Sequence, residues 1–166
     1  MDNAQVTSQM AQINTVNGIE KLNTSVAGLS SQFMQMQALQ GASLVGRDVI
    51  VEGNRLDIDA GKAQGGFELA SAADAVKVEV IAASGQVLDT QNLGAQGEGM
   101  HSFAWAAGTA TSASGVPFRV TATRGGVESK ATTLMRDHVD AVSTTATGFN
   151  LELANSGAVT YDKVKA

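Results

Sequence analysis

Any chemistry performed by this 166-residue chain would have to be assembled from few side chains, since it has two histidines and no cysteine. His101 and His138 lie far apart, and neither has another histidine three or four residues away. No transition-metal clip can form on that spacing, and both are expected to face solvent. Asp57 and Asp59 fall on one side of a probable strand, where two carboxylates could divide acid and base work. Alternation by itself puts acids on a solvated face, and that is the reading adopted. The stretch Gly94-Ala95-Gln96-Gly97-Glu98-Gly99 is glycine-rich. No helical pattern follows it, so it lacks the helix N-terminus that would hold a phosphate. No Gly-x-Ser-x-Gly elbow occurs, and without it an acyl-transfer site has no obvious nucleophile. These residues predict no catalytic site, no metal site and no cofactor. The chain is not expected to be an enzyme.

The charge balance narrows the partners. The net charge is −5, and the eleven Lys and Arg are scattered singly, with aromatics at only 4%. That is the wrong sign for phosphate backbones or anionic lipid, and it leaves no stacking platform for bases. No apolar run approaches the roughly 20 residues of a membrane helix, and residues 1–20 lack the basic start and apolar stretch of a signal peptide. Neither nucleic acid nor membrane is an expected partner. Lacking cysteine, the chain is not a disulfide scaffold. With 43% hydrophobic residues it can nevertheless bury a sizeable core.

The elements that would carry a function divide near Gly41. Before it, residues 1–43 hold three charges, Asp2, Glu20 and Lys21, among many Gln, Asn, Ser and Thr. Apolar residues stand at Val6, Met10, Ile13, Val16, Ile19, Leu22, Val26, Leu29, Phe33, Met36 and Leu39, always three or four apart. This spacing is helical. From Ile19 to Met36 it fits an a/d heptad seam, and the run of threes before it acts like a stammer. Gly18 and Gly28 each cost about 1 kcal/mol relative to Ala, so the segment reads as one long helix or two in series, ending near Gly41. A stripe of this length is about 50 Å long, more than the remaining chain can cover. With so few charge pairs on the helix, its stability must come from packing. The stripe is therefore expected to meet other copies or a partner helix.

After Gly41 the rhythm becomes two-residue, as in half-buried antiparallel strands. Leu44 to Val51 lead to a turn at Glu52-Gly53-Asn54-Arg55, and Leu56 and Ile58 follow. Gly61 to Gly66 reads as a loop. Strands are expected around Phe67-Leu69, Val76-Val80, Gln86-Leu93, Phe103-Trp105, Phe118-Ala122 and Val127-Leu134, with Trp105 a core anchor and residues 106–116 a small-residue loop. Short strands separated by tight turns argue for a sandwich. Three more strands follow Arg136, around Val139-Val142, Phe149-Leu153 and Val159-Tyr161. Neither these three nor the two before the sandwich can close a sheet alone. Pairing them yields one five-stranded barrel-like module, with the sandwich inserted. The expected domains are a helical segment at 1–42, a discontinuous barrel at 43–62 and 136–166, and a sandwich at 63–135.

The sequence also resembles a known family. Met1-Asp2-Asn3-Ala4-Gln5-Val6-Thr7-Ser8-Gln9-Met10-Ala11-Gln12, followed by Ile19-Glu20-Lys21-Leu22-Asn23, resembles the N-terminal helical region of bacterial flagellar hook-capping proteins. Ser43-Leu44-Val45-Gly46-Arg47-Asp48-Val49 resembles the first strand of that family's C-terminal region. Gly99-Met100-His101-Ser102-Phe103-Ala104-Trp105 and Gly115-Val116-Pro117-Phe118 are similar to its inserted sandwich, and Gly157 to Val164 to its last strands. The order of these motifs is specific and spans essentially the whole chain. One departure is Ala106-Ala107 after the tryptophan, where the family usually has Asp-Gly. The family also continues upstream of the Met-Asp-Asn stretch, so the resemblance implies an N-terminally truncated member.

That resemblance implies a mainly β fold with an N-terminal α-helix, a Tudor-like β-barrel interrupted by an inserted fibronectin type III-like β-sandwich. It implies a scaffold at the extracellular tip of the growing flagellar hook, exported by the flagellar type III apparatus without a cleaved signal peptide. Its expected partners are other copies of itself, the hook subunit and that export apparatus. Residues 6–39 would supply self-association and hook contact, the β modules a plate, and Gly41 the hinge between them. The alternative is an extracellular adhesion or ligand-binding β-sandwich module on a helical stalk, which would need a groove of exposed aromatics.

Overall fold

The computed structural model describes residues 3–108, 113–145 and 148–165. α1 (Asn3–Ala42) runs unbroken for 40 residues, about 60 Å at 1.5 Å per residue. Gly18 and Gly28 interrupt nothing, and a side chain at either would meet open space. The helix is thus one element rather than two in series. The hydroxyls of Thr7, Thr15, Thr24, Ser25 and Ser31 donate to carbonyls four residues back, which settles these polar groups within the helix itself. Gly41 is the buried residue of α1. The helix backbone lies there against the Phe149 ring so closely that a Cβ would collide with it.

Eleven strands follow among the described residues: β1 (Asp48–Glu52), β2 (Arg55–Asp59), β3 (Lys62–Leu69), β4 (Ala73–Ile81), β5 (Val87–Gln96), β6 (Gly99–Ala106), β7 (Ala113–Arg124), β8 (Val127–Ser129), β9 (Ala131–Thr145), β10 (Gly148–Leu153) and β11 (Gly157–Thr160). Every pairing is antiparallel. β4 lies between β5 and β7, with β8 on β7. β3 lies between β6 and β9 along one stretch, and β2 bridges β3 to β7. These strands enclose a first core that includes Leu56, Phe67, Val78, Val80, Phe103, Trp105 and Phe118. Phe103 and Phe118 meet edge to face, with centroids 5.2 Å apart.

A second core gathers Val49 and Val51 from β1 with Met135, Val139, Phe149, Leu151 and Leu153. Its strands are β1, β9, β10 and β11. The fifteen-residue β9 serves both cores, since Ala131–Met135 pair with β3 and Val139–Thr145 pair with β10. The second core is therefore built from two stretches of chain that flank the first.

Three expectations need correction. The 61–66 loop is strand from Lys62 onward. Its glycines are there for close approach, not for turning. A Cβ on Gly65 would stand 2.7 Å from Leu56 and Phe103, and one on Gly66 2.9 Å from the His101 carbonyl. The reversal itself is made by Ala60 and Gly61, with φ of 49° and 76°, between the paired Asp59 and Lys62. That is the double left-handed signature of a two-residue hairpin. The second correction concerns β2, expected with β1 in the barrel. Gly53 N–H donates to the Thr133 carbonyl at 3.0 Å, and the Asn54 carbonyl accepts from Phe118 N–H at 2.9 Å. This turn carries the chain from one core to the other, so Leu56 and Ile58 bury in the first core. Four strands, not five, surround the second core. Third, the 106–116 loop falls partly on 109–112, outside the described residues, and from Ala113 the chain is already strand.

Candidate assembly surface

The eleven apolar positions of α1 are all uncovered. Their exposures run from 48% at Val6 to 74% at Leu39, where a core position would be below a tenth. Contact between α1 and the β body is confined to its end, where Met34, Gln37 and Ala38 are half-buried and Gly41 is buried. The reason is topological: the chain leaves α1 through Ser43–Arg47, where Gly46 N–H donates to the Val139 carbonyl and Val139 N–H to the Arg47 carbonyl, both at 2.9 Å. That anchorage fixes one end of the rod and leaves the remainder clear of both cores. Gly41, expected as a hinge, sits inside the last helical turn beneath Phe149. The left-handed glycine of the junction is Gly46, with φ of 79°.

Three of the four polar residues weighed for chemistry, Asp57, Asp59 and His138, meet in a cleft of about 400 Å³ between the cores, lined also by Asp48, Lys62, Arg136, Asp137 and Asn155 among others. Each acid with a bond there is occupied structurally. Asp57 accepts from Gly115 N–H at 3.0 Å and from the Asn155 amide at 3.2 Å. Asp48 faces His138 Nδ1 at 2.9 Å and Arg136 at 3.8 Å. Asp137, 1% exposed, accepts from the backbone N–H groups of His138, Asn155 and Ser156, the Asn155 amide and the Ser156 hydroxyl, at 2.6–3.2 Å. Asn155 thus ties the first core's Asp57 to the second core's Asp137. Sequence reading marked Asn155-Ser156-Gly157 as a turn and missed this role, because both acceptors come from distant strands.

His138 is exposed, as expected. His101 is half-buried instead, stacked on Phe67 at 5.2 Å while its Nε2–H donates to the Gly97 carbonyl at 2.8 Å. Elsewhere, Glu79 is held below its ordinary range by hydrogen bonds first from Arg119 and then from Lys77. Lys165 is raised by its bond to Glu68 at 2.9 Å. Among the described residues, no helix is long and apolar enough to cross a membrane.

Comparison with known proteins places the chain in a family. A model of the FlgD Tudor-like domain matches residues 36–165, and one of the flagellar hook capping protein N-terminal region matches residues 1–28. The chain belongs to the FlgD flagellar hook-capping family. The basal-body rod modification protein FlgD of Escherichia coli K12 is 35% identical over 99% of this chain and 77% of its own length. The Salmonella typhimurium FlgD is 34% identical over 99% of this chain and 76% of its own length. Among solved structures, FlgD from Xanthomonas campestris is 32% identical, with a TM-score of 0.59 over 77% of this chain and 96% of that one. FlgD from P. aeruginosa is 28% identical, with a TM-score of 0.60 over 74% and 96%. Members of the hook-capping family are non-enzymatic assembly proteins of the flagellar hook, and this chain shares that function. The β body accordingly carries a Tudor-like domain.

Proposed function

We propose that the chain works as a self-associating scaffold at the tip of the growing hook, where α1 holds copies together and the β body faces arriving hook subunits. The observation that carries this reading is the rod of eleven uncovered apolar side chains, Val6, Met10, Ile13, Val16, Ile19, Leu22, Val26, Leu29, Phe33, Met36 and Leu39. Covering them removes apolar surface worth roughly 25 cal/mol per Å² from water, and no part of the chain's own β body does so. Within this reading the first core is a fibronectin type III-like sandwich inserted in the Tudor-like barrel of the second. The junction at Gly41–Arg47 transmits rod movement to the body. Other copies, the hook subunit and the flagellar type III export apparatus are the partners.

The adhesion alternative needs exposed aromatics. Trp105 and Phe67, Phe103, Phe118 and Phe149 are buried, which leaves Tyr161 as the exposed aromatic of the β body. The experiment is genetic. In a strain deleted for the gene, a full-length copy with Leu22 and Leu29 changed to Asp is expected to leave cells without hooks and hook subunit in the medium. Normal hooks in that strain would refute the role given to the rod.

A further inference from the structure

The apolar positions of α1 do not form one line. At 3.6 residues per turn each residue advances by roughly 100°. On that wheel Ile19, Leu22, Val26, Leu29, Phe33 and Met36 share one face about 100° wide, the drift of a heptad repeat on a straight helix included. Val6, Met10 and Ile13 share another, roughly 165° around the helix by the same period. Because α1 is unbroken from Asn3 to Ala42, no kink brings the two faces together. A third direction is taken by Met34, Ala38 and Gly41, where the rod meets its own β body. A helix that points one face toward a bundle axis must point the opposite face away from it.

We propose that Ile19, Leu22, Val26, Leu29, Phe33 and Met36 form a coiled-coil seam between copies of this chain, and that Val6, Met10 and Ile13 lie outside that seam. This rests on the self-association reading above and assigns it to one half of the rod. The seam residues are 52–65% exposed, so the chain's own body leaves them free. Ile19, Val26 and Phe33 take the a positions, and Leu22, Leu29 and Met36 the d positions.

Charge identifies the occupant. The positions beside the seam are Gly18, Asn23, Ser25, Ser30, Gln32 and Gln37, all uncharged. Glu20 and Lys21 occupy b and c, turned away from it. Identical copies therefore meet with no like-charge repulsion, while a charged foreign helix would find nothing to select it. A second copy also supplies the same heptad register over the same length, which knobs-into-holes packing requires.

The test is sedimentation equilibrium of the whole 166-residue chain. Leu22→Asn with Leu29→Asn is expected to bring the mass to that of the monomer, weakening association at least about tenfold. Met10→Asn with Ile13→Asn is expected to leave the mass as it was. An oligomer that survives the first pair, or dissolves with the second, overturns the seam alone. A wild-type chain that remains monomeric at its highest soluble concentration overturns the self-association reading and the seam with it. A covalent readout guards against loss of helix in the variants, because the chain has no cysteine of its own. Oxidised Leu29→Cys should run as a linked dimer and oxidised Met10→Cys as a monomer. The reverse pattern contradicts the proposal.

Discussion

Asp137 illustrates how a single side chain can hold a turn and join two cores. Its carboxylate is buried among three backbone N–H groups, an amide and a hydroxyl. Replacing it with Asn removes the charge and sets a donor against donors, each buried group left unpaired costing about 1–3 kcal/mol. Asp137→Asn is expected to lower unfolding stability by about 3 kcal/mol on that scale, measured by urea denaturation. Ala60 works in the other direction. A non-glycine residue in the left-handed region carries roughly 1 kcal/mol of strain, so Ala60→Gly should raise the melting temperature by a few degrees. Glu79 sets an acid limit. Its folded-state value lies below its ordinary 4.5, so the stability it contributes is present above that range and is lost as pH falls through the depressed value. Glu79→Gln should flatten the loss of melting temperature on acidification. None of these three roles was legible in sequence. Asp137 is an ordinary alternating residue until Asn155 and Ser156 arrive from the turn between β10 and β11, and Ala60 resembles any loop alanine.

At the scale of elements, α1 was the readable part. A helix repeats locally, so its three-and-four spacing fixes both its length and its apolar positions without knowledge of the rest of the chain. The β elements were harder wherever a glycine stood for a neighbour. Gly65 and Gly66 suggest a loop, yet they lie mid-strand because Phe103, Leu56 and the His101 carbonyl occupy the space a side chain would need. Those neighbours come from β6 and β2, and no local window contains them. The turn at Gly53 and Asn54 was found, but its direction was not, since its bonds go to Thr133 and Phe118. Gly18 and Gly28 yield a test specific to the helix. Changing both to Ala should add about 1 kcal/mol each to helix stability, seen as higher ellipticity at 222 nm, with the melting of the β body unchanged.

For the whole molecule, the division into two cores follows from apolar patterning, but their coupling does not. β9 passes from one core to the other, and Asn155 spans Asp57 and Asp137. Disturbance of one core should therefore reach the other. Leu151 is fully buried in the second core, and Leu151→Ala is expected to cost about 2–5 kcal/mol. Trp105 reports on the first core. Its fluorescence transition should move to lower denaturant with the Leu151 substitution, and an unmoved transition would mean the cores unfold independently.

The rod also carries a built-in test of the proposed assembly. Lys21 is the one trypsin site in the first 46 residues, half-way along a helix that nothing in its own chain shields. A lone molecule offers that bond to protease whenever the helix frays. If neighbours clasp the rod as proposed, fraying stops and the cut is postponed. The lifetime of the intact band on a gel thus counts engaged molecules against stragglers, with no label attached.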